Sequence, residues 1–560
     1  MKQKNPARKN DIVNITITDI NNLGCGVGRV DGVVTFVAGA CTGDELIVRI
    51  IKVASDYNVG KIEQIVKASP FRIDPECTAA KRCGGCVYRY VTYEHELEIK
   101  QKRVAAAMKK AGLSCEVGEV LHTGEIAGYR NKAQYPIGTV RYGKGKTAVT
   151  STAIGFYAEK SHDIIPCVSE DGSCKLQPSI FGEIADFVRV WMDENKLTAY
   201  DELTGKGIMR HLYLRRSETT GEVMVCFVAS EKSAKVEAMS RAVCERFCEV
   251  ASIYENINSR NTNVVLGREY RLLFGKEKLT DKLCGRTYEI SPQSFWQVNR
   301  KAAELLYNKA AELADIKAGE RVLDLFCGIG TVGMSVCTPD VKLYGIEIVP
   351  EAVKNAERNA ELNGFDDSEF VCADASDPAD FDAHLAGIAK DGLDAVILDP
   401  PRKGCAPELL RRICEIAPKR IVYISCNPDT LARDIALIDG AYTCEKVTPV
   451  DMFPRTGHVE TVCLLSKLNA KQHIEINLDM DELDLTDAEK KATYQEIKDY
   501  VLEHSGLKVS SLYIAQVKQK CGIIERENYN KPKSEDAKQP QCPPDKEKAI
   551  KEALKHFGMI

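Results

Sequence analysis

A chain of 560 residues is too long for one hydrophobic core, and at about one domain per 150 residues it holds three or four. A formal net charge of −5 excludes a uniformly basic nucleic-acid binder, although a local basic surface can still serve. The first residues lack the apolar core of a secretory signal and no apolar run approaches the roughly 18 residues of a membrane span, so a cytosolic protein with no membrane partner is expected. In that compartment the 22 cysteines stay mostly reduced, and clustered ones read as metal ligands or reactive thiols rather than disulfides.

In chain order, residues 10–67 alternate β-rich runs such as Ile12-Val-Asn-Ile-Thr-Ile with turns such as Gly24-Cys-Gly-Val-Gly, the pattern of a small β-barrel; residues 1–67 form the first expected domain. Residues 68–285 form a second, α+β domain. It opens with Cys77-x5-Cys83-x2-Cys86 and an amphipathic helix over 93–111 that ends near Gly112. From 318 to 468, strands at 321–326, 342–348, 395–398, 420–425 and 460–465 alternate with helices at 350–363, 407–416 and 429–438. That rhythm predicts an α/β, Rossmann-like doubly wound sheet in a third domain, 286–468. Residues 469–560 carry an acidic linker at 479–487, two helices at 494–504 and 509–521 joined around Gly506, and a Lys/Pro-rich stretch near 530–546. The helix pair suggests an accessory module.

The chemistry concentrates in the third domain. Gly328, Gly330 and Gly333 form a Gly-rich strand-to-helix turn that lets a ligand approach free backbone N–H groups. Glu347 closes the second strand, where a carboxylate can accept from both ribose hydroxyls, and Asp374, at the end of the third strand, can hold an adenine. The glycine pattern suits NAD and S-adenosylmethionine equally. Asp399-Pro400-Pro401-Arg402-Lys403 at the end of the fourth strand favours the latter. Cys426 leaves the apolar strand 420–425 at its carboxyl end, where open α/β sheets hold their chemistry, and leads into Asn427-Pro428 and a new helix, which favours a nucleophile over a packed thiol. Cys327, Cys372 and Cys463 read as packing, and His458 as a locally satisfied structural residue.

The set Ser294-Phe-Trp-Gln297-Val-Asn299, Leu323 to Gly330, Leu398-Asp399-Pro400, Ser425-Cys426-Asn427-Pro428 and Asp451-Met-Phe-Pro454 with Gly457-His-Val-Glu460 resembles the RNA uracil-5-methyltransferases. The resemblance implies a class I methyltransferase fold using S-adenosylmethionine, with Cys426 adding to carbon 6 of uracil and Glu460 removing the carbon 5 proton. It also implies that Gln297, Phe326, Thr331, Glu347, Asp374 and Asp399 line the cofactor and substrate pocket. Thr331 stands where an Asn is expected, and a hydroxyl replaces its hydrogen bond only in part. The N-terminal barrel resembles a TRAM domain, an OB-like RNA-binding module.

Three thiols, Cys77, Cys83 and Cys86, with Cys167 as fourth and Cys174 as its rival, can hold a 4Fe-4S cluster or a zinc ion. Resemblance to the cluster-bearing branch of the family favours iron, in a structural role. Barrel and cluster together are most similar to the 23S ribosomal RNA branch, so 23S rRNA is the expected partner, and no protein partner is implied. Both features are expected to form RNA-facing surfaces remote from Cys426. The segments 128–132 and 210–216 combine cations with aromatics and are candidate RNA contacts. The alternatives are a transfer RNA uracil-5 enzyme, expected to lack barrel and cluster, and a non-catalytic RNA-binding or iron-sulfur protein.

Overall fold

In the computed structural model, residues 5–142, 149–159, 161–166, 174–260, 264–377, 380, 382–384, 388, 392–468, 494–505, 507, 509–521 and 542–556 are described. The chain divides into two units, Met1–Ile474 and Glu475–Ile560. Cys167 and Gly506 lie outside the described residues. Among the described residues no helix is long and apolar enough to cross a membrane.

The first strands are β1 (Ile12–Thr16), β2 (Asp19–Ile20), β3 (Cys25–Val30), β4 (Val33–Ala38), β5 (Glu45–Val53) and β6 (Tyr57–Lys67), in one sheet of order β1-β5-β6-β4-β3-β2. Alternating side chains put Ile15, Val37, Leu46, Val48 and Ile50 into one small core. A Cβ on Gly28 would lie 2.5 Å from the Thr16 carbonyl, so glycine is what lets β3 close on β1.

Helix α1 (Tyr93–Lys110) and the short β7 (Glu116–Val117) follow. The central sheet contains β8 (Lys132–Tyr142), β9 (Val149–Tyr157), β10 (Ile164–Pro166), β11 (Met209–Arg216), β12 (Val223–Ala229), β13 (Val250–Ile257) and β14 (Glu269–Gly275). Its order is β10-β9-β8-β11-β12-β13-β14. Helices α2 (Ser179–Glu194) and α3 (Ala234–Arg246) bury Phe181, Ile184, Val188, Val236 and Met239 against it. A hairpin of β15 (Leu279–Leu283) and β16 (Arg286–Ile290) leads out.

The third sheet is built from β17 (Arg321–Leu325), β18 (Lys342–Glu347), β19 (Ser368–Cys372), β20 (Ala395–Leu398), β21 (Arg420–Ser425), β22 (Tyr442–Val450) and β23 (Glu460–Lys467). The order β19-β18-β17-β20-β21-β23-β22-β7 is parallel from β19 to β21, after which β23 runs antiparallel to β21 and β22 to β23. The parallel strands read as continuous apolar runs because both faces are covered. One face meets α4 (Arg300–Ala314), α5 (Thr331–Val336) and α6 (Pro350–Leu362). The other meets α7 (Pro407–Ile416), α8 (Pro428–Ile438) and α1, whose Val104, Ala107 and Met108 share a core with Leu323, Leu398 and Tyr423. Helix α1 and β7 therefore pack with the third sheet.

By itself, the second unit holds α9 (Tyr494–Ser505), α10 (Ser511–Lys520) and α11 (Pro544–His556) around Ile497, Val501, Ile514, Val517, Ile550 and Leu554. The third helix starts at the end of the Lys/Pro-rich stretch and runs through residues for which the sequence reading gave no element.

Candidate active site

The doubly wound half of the sheet opens at the carboxyl ends of β17, β18, β20 and β21. Phe326, at φ +65°, and Gly328, at φ +58°, bend the chain off β17, and Gly330, at φ +80°, hands it to α5, where Thr331 is the first residue. A Cβ on Gly328 would meet nothing within 4 Å, which leaves open space above the turn. Beneath it, Asp324 Oδ2 accepts from the Gly333 N–H at 2.8 Å. Asp324 Oδ1 is buried without a partner among the described residues, and burial lifts this carboxyl to about 8. Glu347 accepts from the Gly328 N–H at 3.1 Å and the Val349 N–H at 2.9 Å, each oxygen keeping a lone pair for a ribose hydroxyl. Asp374 lies two residues beyond β19 with one oxygen accepting from the Ser376 N–H at 2.8 Å. An open turn, an orphaned buried carboxyl oxygen and two carboxylates at successive strand ends fit an adenosyl ligand.

Cys426 is the residue after β21. The pair Ser425↔Thr461 in the β21–β23 ladder puts Cys426 across from Glu460, the first residue of β23. The turn is held by its own short bonds. Asn427 caps α8 by accepting from the Asp429 N–H at 3.1 Å, its N–H donates to Ser425 Oγ at 3.2 Å, and the Thr461 hydroxyl donates to the Ser425 carbonyl at 2.9 Å. Asn427 Nδ2 also donates to the Arg402 carbonyl at 3.3 Å, which ties the Asp399–Arg402 loop to the thiol turn.

The electrostatics follow from burial with one opposing cation. Burial and then the charges of Glu460 and Asp399 push the half-buried Cys426 thiol up to about 11, and the Arg402 guanidinium opposes them. Burial, then Asp399, lifts Glu460 to about 8, again against Arg402. Burial alone lifts Asp399 to about 7. His458 presents an exposed ring, edge-on to Phe453 at 5.9 Å. Partial burial and the cations Arg402, Arg103, Arg130 and Lys100 push it down to about 4, so it is neutral at pH 7.

Tyr307 on α4 is a group the sequence reading passed over. Its buried hydroxyl accepts from Gln297 Nε2 at 3.3 Å, bonds Thr331, and lies in the fields of Asp399 and Glu460. It joins the glycine turn to the carboxylates of Asp399 and Glu460, and a tyrosine inside an apolar helical face gives no sequence signal of that. Arg402 was legible only as part of a motif.

Of the candidate RNA contacts, the 210–216 segment is a buried strand. Arg215 donates to the Ser291 and Ser294 carbonyls at 2.8 and 2.7 Å, and Arg210 to the Asn258 carbonyl at 2.8 Å, so these cations are internal braces. Arg130 differs, standing 5.9 Å from the Phe453 ring. Among the thiols expected to pack, Cys327 and Cys463 are buried while Cys372 is exposed.

Cys77, Cys83, Cys86 and Cys174 line one recess of about 160 Å³, with Arg89 and Arg455. Burial and the neighbouring Cys174 and Cys83 push the Cys86 thiol up to about 12. Among the described residues no three Cys, His, Asp or Glu side chains form a group able to hold a single metal ion. The barrel is not remote from the site. A Cβ on Gly457, three residues before Glu460, would lie 1.9 Å from the Asn22 carbonyl in the β2–β3 turn.

The family profile described as tRNA (Uracil-5-)-methyltransferase matches residues 236–468, and the TRAM domain profile matches residues 6–62. An uncharacterized RNA methyltransferase of Clostridium tetani is 38% identical over 477 residues, 84% of this chain and 100% of that protein. Another from Staphylococcus aureus is 38% identical over 461 residues, 82% of this chain and 98% of that one. Among solved structures, Pyrococcus abyssi tRNA (uracil-54, C5)-methyltransferase, in complex with S-adenosyl-L-homocysteine, is 29% identical with a TM-score of 0.63, covering 81% of this chain and 100% of its own.

Proposed function

Because the chain belongs to a family of RNA methyltransferases and its residues 236–468 match the tRNA (Uracil-5-)-methyltransferase profile, we propose that it methylates carbon 5 of a uridine in 23S ribosomal RNA through a covalent adduct on Cys426. The observation that carries this reading is the ladder register that sets Glu460 opposite Cys426 beside Asp399.

Carbon 5 of uracil is a weak nucleophile. The Cys426 sulfur adds to carbon 6, and the ring becomes an enolate whose electron density lies at carbon 5. S-adenosylmethionine, held by Gln297, Phe326, Thr331, Glu347, Asp374 and Asp399, would supply the methyl group that carbon 5 attacks, with S-adenosyl-L-homocysteine as the leaving group. Glu460 then takes the carbon 5 proton, the carbon 5–carbon 6 double bond re-forms, and the carbon–sulfur bond breaks with its electrons returning to Cys426. A carboxyl near 8 is suited to this, because a base is most effective when its pKa lies near the working pH. Arg402 lowers the pKa of both reacting groups and so favours thiolate and carboxylate together.

The thiol recess supports a 4Fe-4S cluster held by Cys77, Cys83, Cys86 and Cys174, since four cysteines face one buried space and a cluster needs no single point of convergence. For the fourth position this reading takes Cys174, the rival of Cys167, because it lines the recess, while Cys167 lies outside the described residues. Anaerobically purified protein should be brown, with about four irons per chain. Cys174→Ser should lose the iron and Cys167→Ser keep it; zinc without iron refutes the cluster.

The substrate reading rests on a barrel and thiol segment packed beside the site, which add contacts whose binding energy offsets the cost of unstacking the target base. A second reading, transfer RNA, is favoured by the likeness to the Pyrococcus abyssi tRNA enzyme along its whole length. That likeness covers far more of this chain than residues 286–468. The deciding experiment gives the enzyme labelled S-adenosylmethionine with equal amounts of unmodified 23S and transfer RNA. Label in 23S RNA is expected, and label confined to transfer RNA overturns the substrate. RNA carrying 5-fluorouridine should trap a denaturation-resistant complex, because fluorine cannot leave as a proton. Cys426→Ala should abolish the complex, and methylation by that variant overturns the mechanism.

A further inference from the structure

The loop 451–459 hands the chain to Glu460, and it is held from outside. Lys100, fully buried on α1, donates to Glu96 and Asp451 at 2.7 Å each and to the Phe453 carbonyl at 3.2 Å. The Tyr93 hydroxyl donates to Asp451 at 2.8 Å, Tyr129 to the Pro454 carbonyl at 2.9 Å, and Asn299 Nδ2 to the Met452 carbonyl at 3.0 Å. The pivot is Arg455. Its φ of +70° lies in the left-handed region that favours glycine, so the surroundings must hold it there.

They do so from the cysteine segment. The Arg455 N–H donates to Glu96 Oε1 at 2.7 Å, and its carbonyl accepts from the N–H of Tyr88, two residues after Cys86, at 3.2 Å. Its guanidinium donates to the Val91 carbonyl at 2.8 Å and stands 3.5 Å from Glu96 Oε2. The same side chain lines the recess of Cys77, Cys83, Cys86 and Cys174. By contrast, the bonds that hold the Cys426 turn come from Ser425, Asn427, Asp429, Thr430, Leu431, Thr461 and Arg402, and among the described residues none of them reaches residues 77–103.

We propose that Arg455 is a positioning residue that couples the thiol-lined recess to the aim of Glu460, so that the state of those thiols is felt when the carbon 5 proton is removed and not when Cys426 adds to the ring. The inference rests on the uracil-5 reading above. It gives a thiol site that takes no part in methyl transfer a mechanical role: a filled recess fixes residues 83–91, these fix Arg455, and Arg455 fixes the entry to β23.

The test uses the full chain with two kinds of RNA. On 5-fluorouridine RNA, which stops before proton removal, Arg455→Gln should form the covalent complex at the unsubstituted rate. On ordinary RNA with S-adenosylmethionine, the same variant should hold about tenfold or more adduct at steady state, because small misplacements of a reacting group cost one to two orders of magnitude. Arg455→Lys, which keeps a donor, should recover most of the loss. At saturating RNA, where any loss of binding by the thiol segment is offset, Cys86→Ser with Arg455 intact should give the same signature of normal trapping with accumulated adduct. The proposal is overturned if Arg455→Gln slows trapping and turnover equally or changes neither, or if Cys86→Ser accumulates no adduct. If the unsubstituted protein does not trap 5-fluorouridine RNA, it is the uracil-5 reading that fails.

Discussion

The two sides of the proposed reaction centre, that of the cofactor and that of Glu460 as the proposed base, are built by different means. Most of the cofactor side comes from one stretch of chain, residues 324–374, in which each strand delivers a residue to the same edge: Phe326 and Gly328 after β17, Glu347 at the end of β18, Asp374 after β19. The base side is assembled from distant pieces, with the barrel turn at Asn22, the cysteine segment at Tyr88, Glu96 and Lys100 on α1, and Asn299 all meeting the loop before Glu460. A strand–turn–helix site is specified by local backbone rules and tolerates loss of a side chain. A site assembled from distant pieces depends on buried polar contacts, and each lost partner strands another charge.

The largest effect expected from this contrast is on stability. Lys100→Met removes the cation between two fully buried carboxylates, Glu96 and Asp451. Breaking a buried ion pair from one side costs about 3–5 kcal/mol, because the remaining charge is uncompensated. Urea unfolding should show a loss of that order. A loss below about 1 kcal/mol would mean that water or a nearby cation such as Arg455 replaces the ammonium, and the contrast between the two sides would disappear.

Next in size is Arg402→Gln, which acts on the chemistry. Arg402 lowers the pKa of both Cys426 and Glu460, so its removal raises both. Less thiolate is then present at neutral pH, and 5-fluorouridine trapping should slow by about 10- to 100-fold, a range typical of general acid–base effects. For the unsubstituted protein, activity should rise with pH towards about 8 as Glu460 ionises; in the variant this limb should move to higher pH. An unchanged pH profile would remove Arg402 from the mechanism. The same carboxyl has an opposite effect on folding. Its pKa is raised from 4.5 to about 8 in the folded protein, so its contribution to stability is present below 4.5 and is lost as pH rises through that window.

The same contrast explains what the sequence revealed. The Rossmann-like order, the Gly328–Gly330 turn and the place of Cys426 were legible because periodicity, glycine spacing and the strand-to-helix turn are local signals. Tyr307 and Arg455 were not, since their roles come from partners far along the chain: Tyr307 from Gln297 and Thr331, Arg455 from Tyr88 and Glu96. Helix α1 read correctly as amphipathic, yet its apolar face covers the third sheet rather than the central one, and amphipathicity does not say which core a helix joins. Arg210 and Arg215 misled for the converse reason. A run of cations with aromatics suggests RNA, whereas a buried strand uses guanidinium groups to satisfy backbone carbonyls.

On the cofactor side, Glu347→Gln should cost less. The amide keeps one oxygen to accept from the Gly328 or Val349 N–H but loses the charge that a ribose hydroxyl would bond. Hydrogen bonds to charged groups contribute about 1.5–3 kcal/mol. Calorimetric affinity for S-adenosylmethionine should therefore fall by roughly tenfold or somewhat more, with the unfolding midpoint little changed. A collapse of stability instead would show that this turn too depends on its carboxylate for folding.

The smallest effect belongs to Thr331→Asn, the substitution that places the expected amide at the first residue of α5. Thr331 is buried, and its side chain bonds the Tyr307 hydroxyl, which also accepts from Gln297. An asparagine reaches one atom farther and carries both a donor and an acceptor, so it can meet the ligand while leaving Tyr307 to Gln297. A single neutral hydrogen bond contributes about 0.5–1.5 kcal/mol, so S-adenosylmethionine should bind a few-fold more tightly in calorimetry. Trapping of 5-fluorouridine RNA should not change, since the Cys426 turn has no bond to Thr331. A loss of affinity would mean that threonine and Tyr307 form a matched pair here, and that even the locally built side of the site has been fitted to a distant residue.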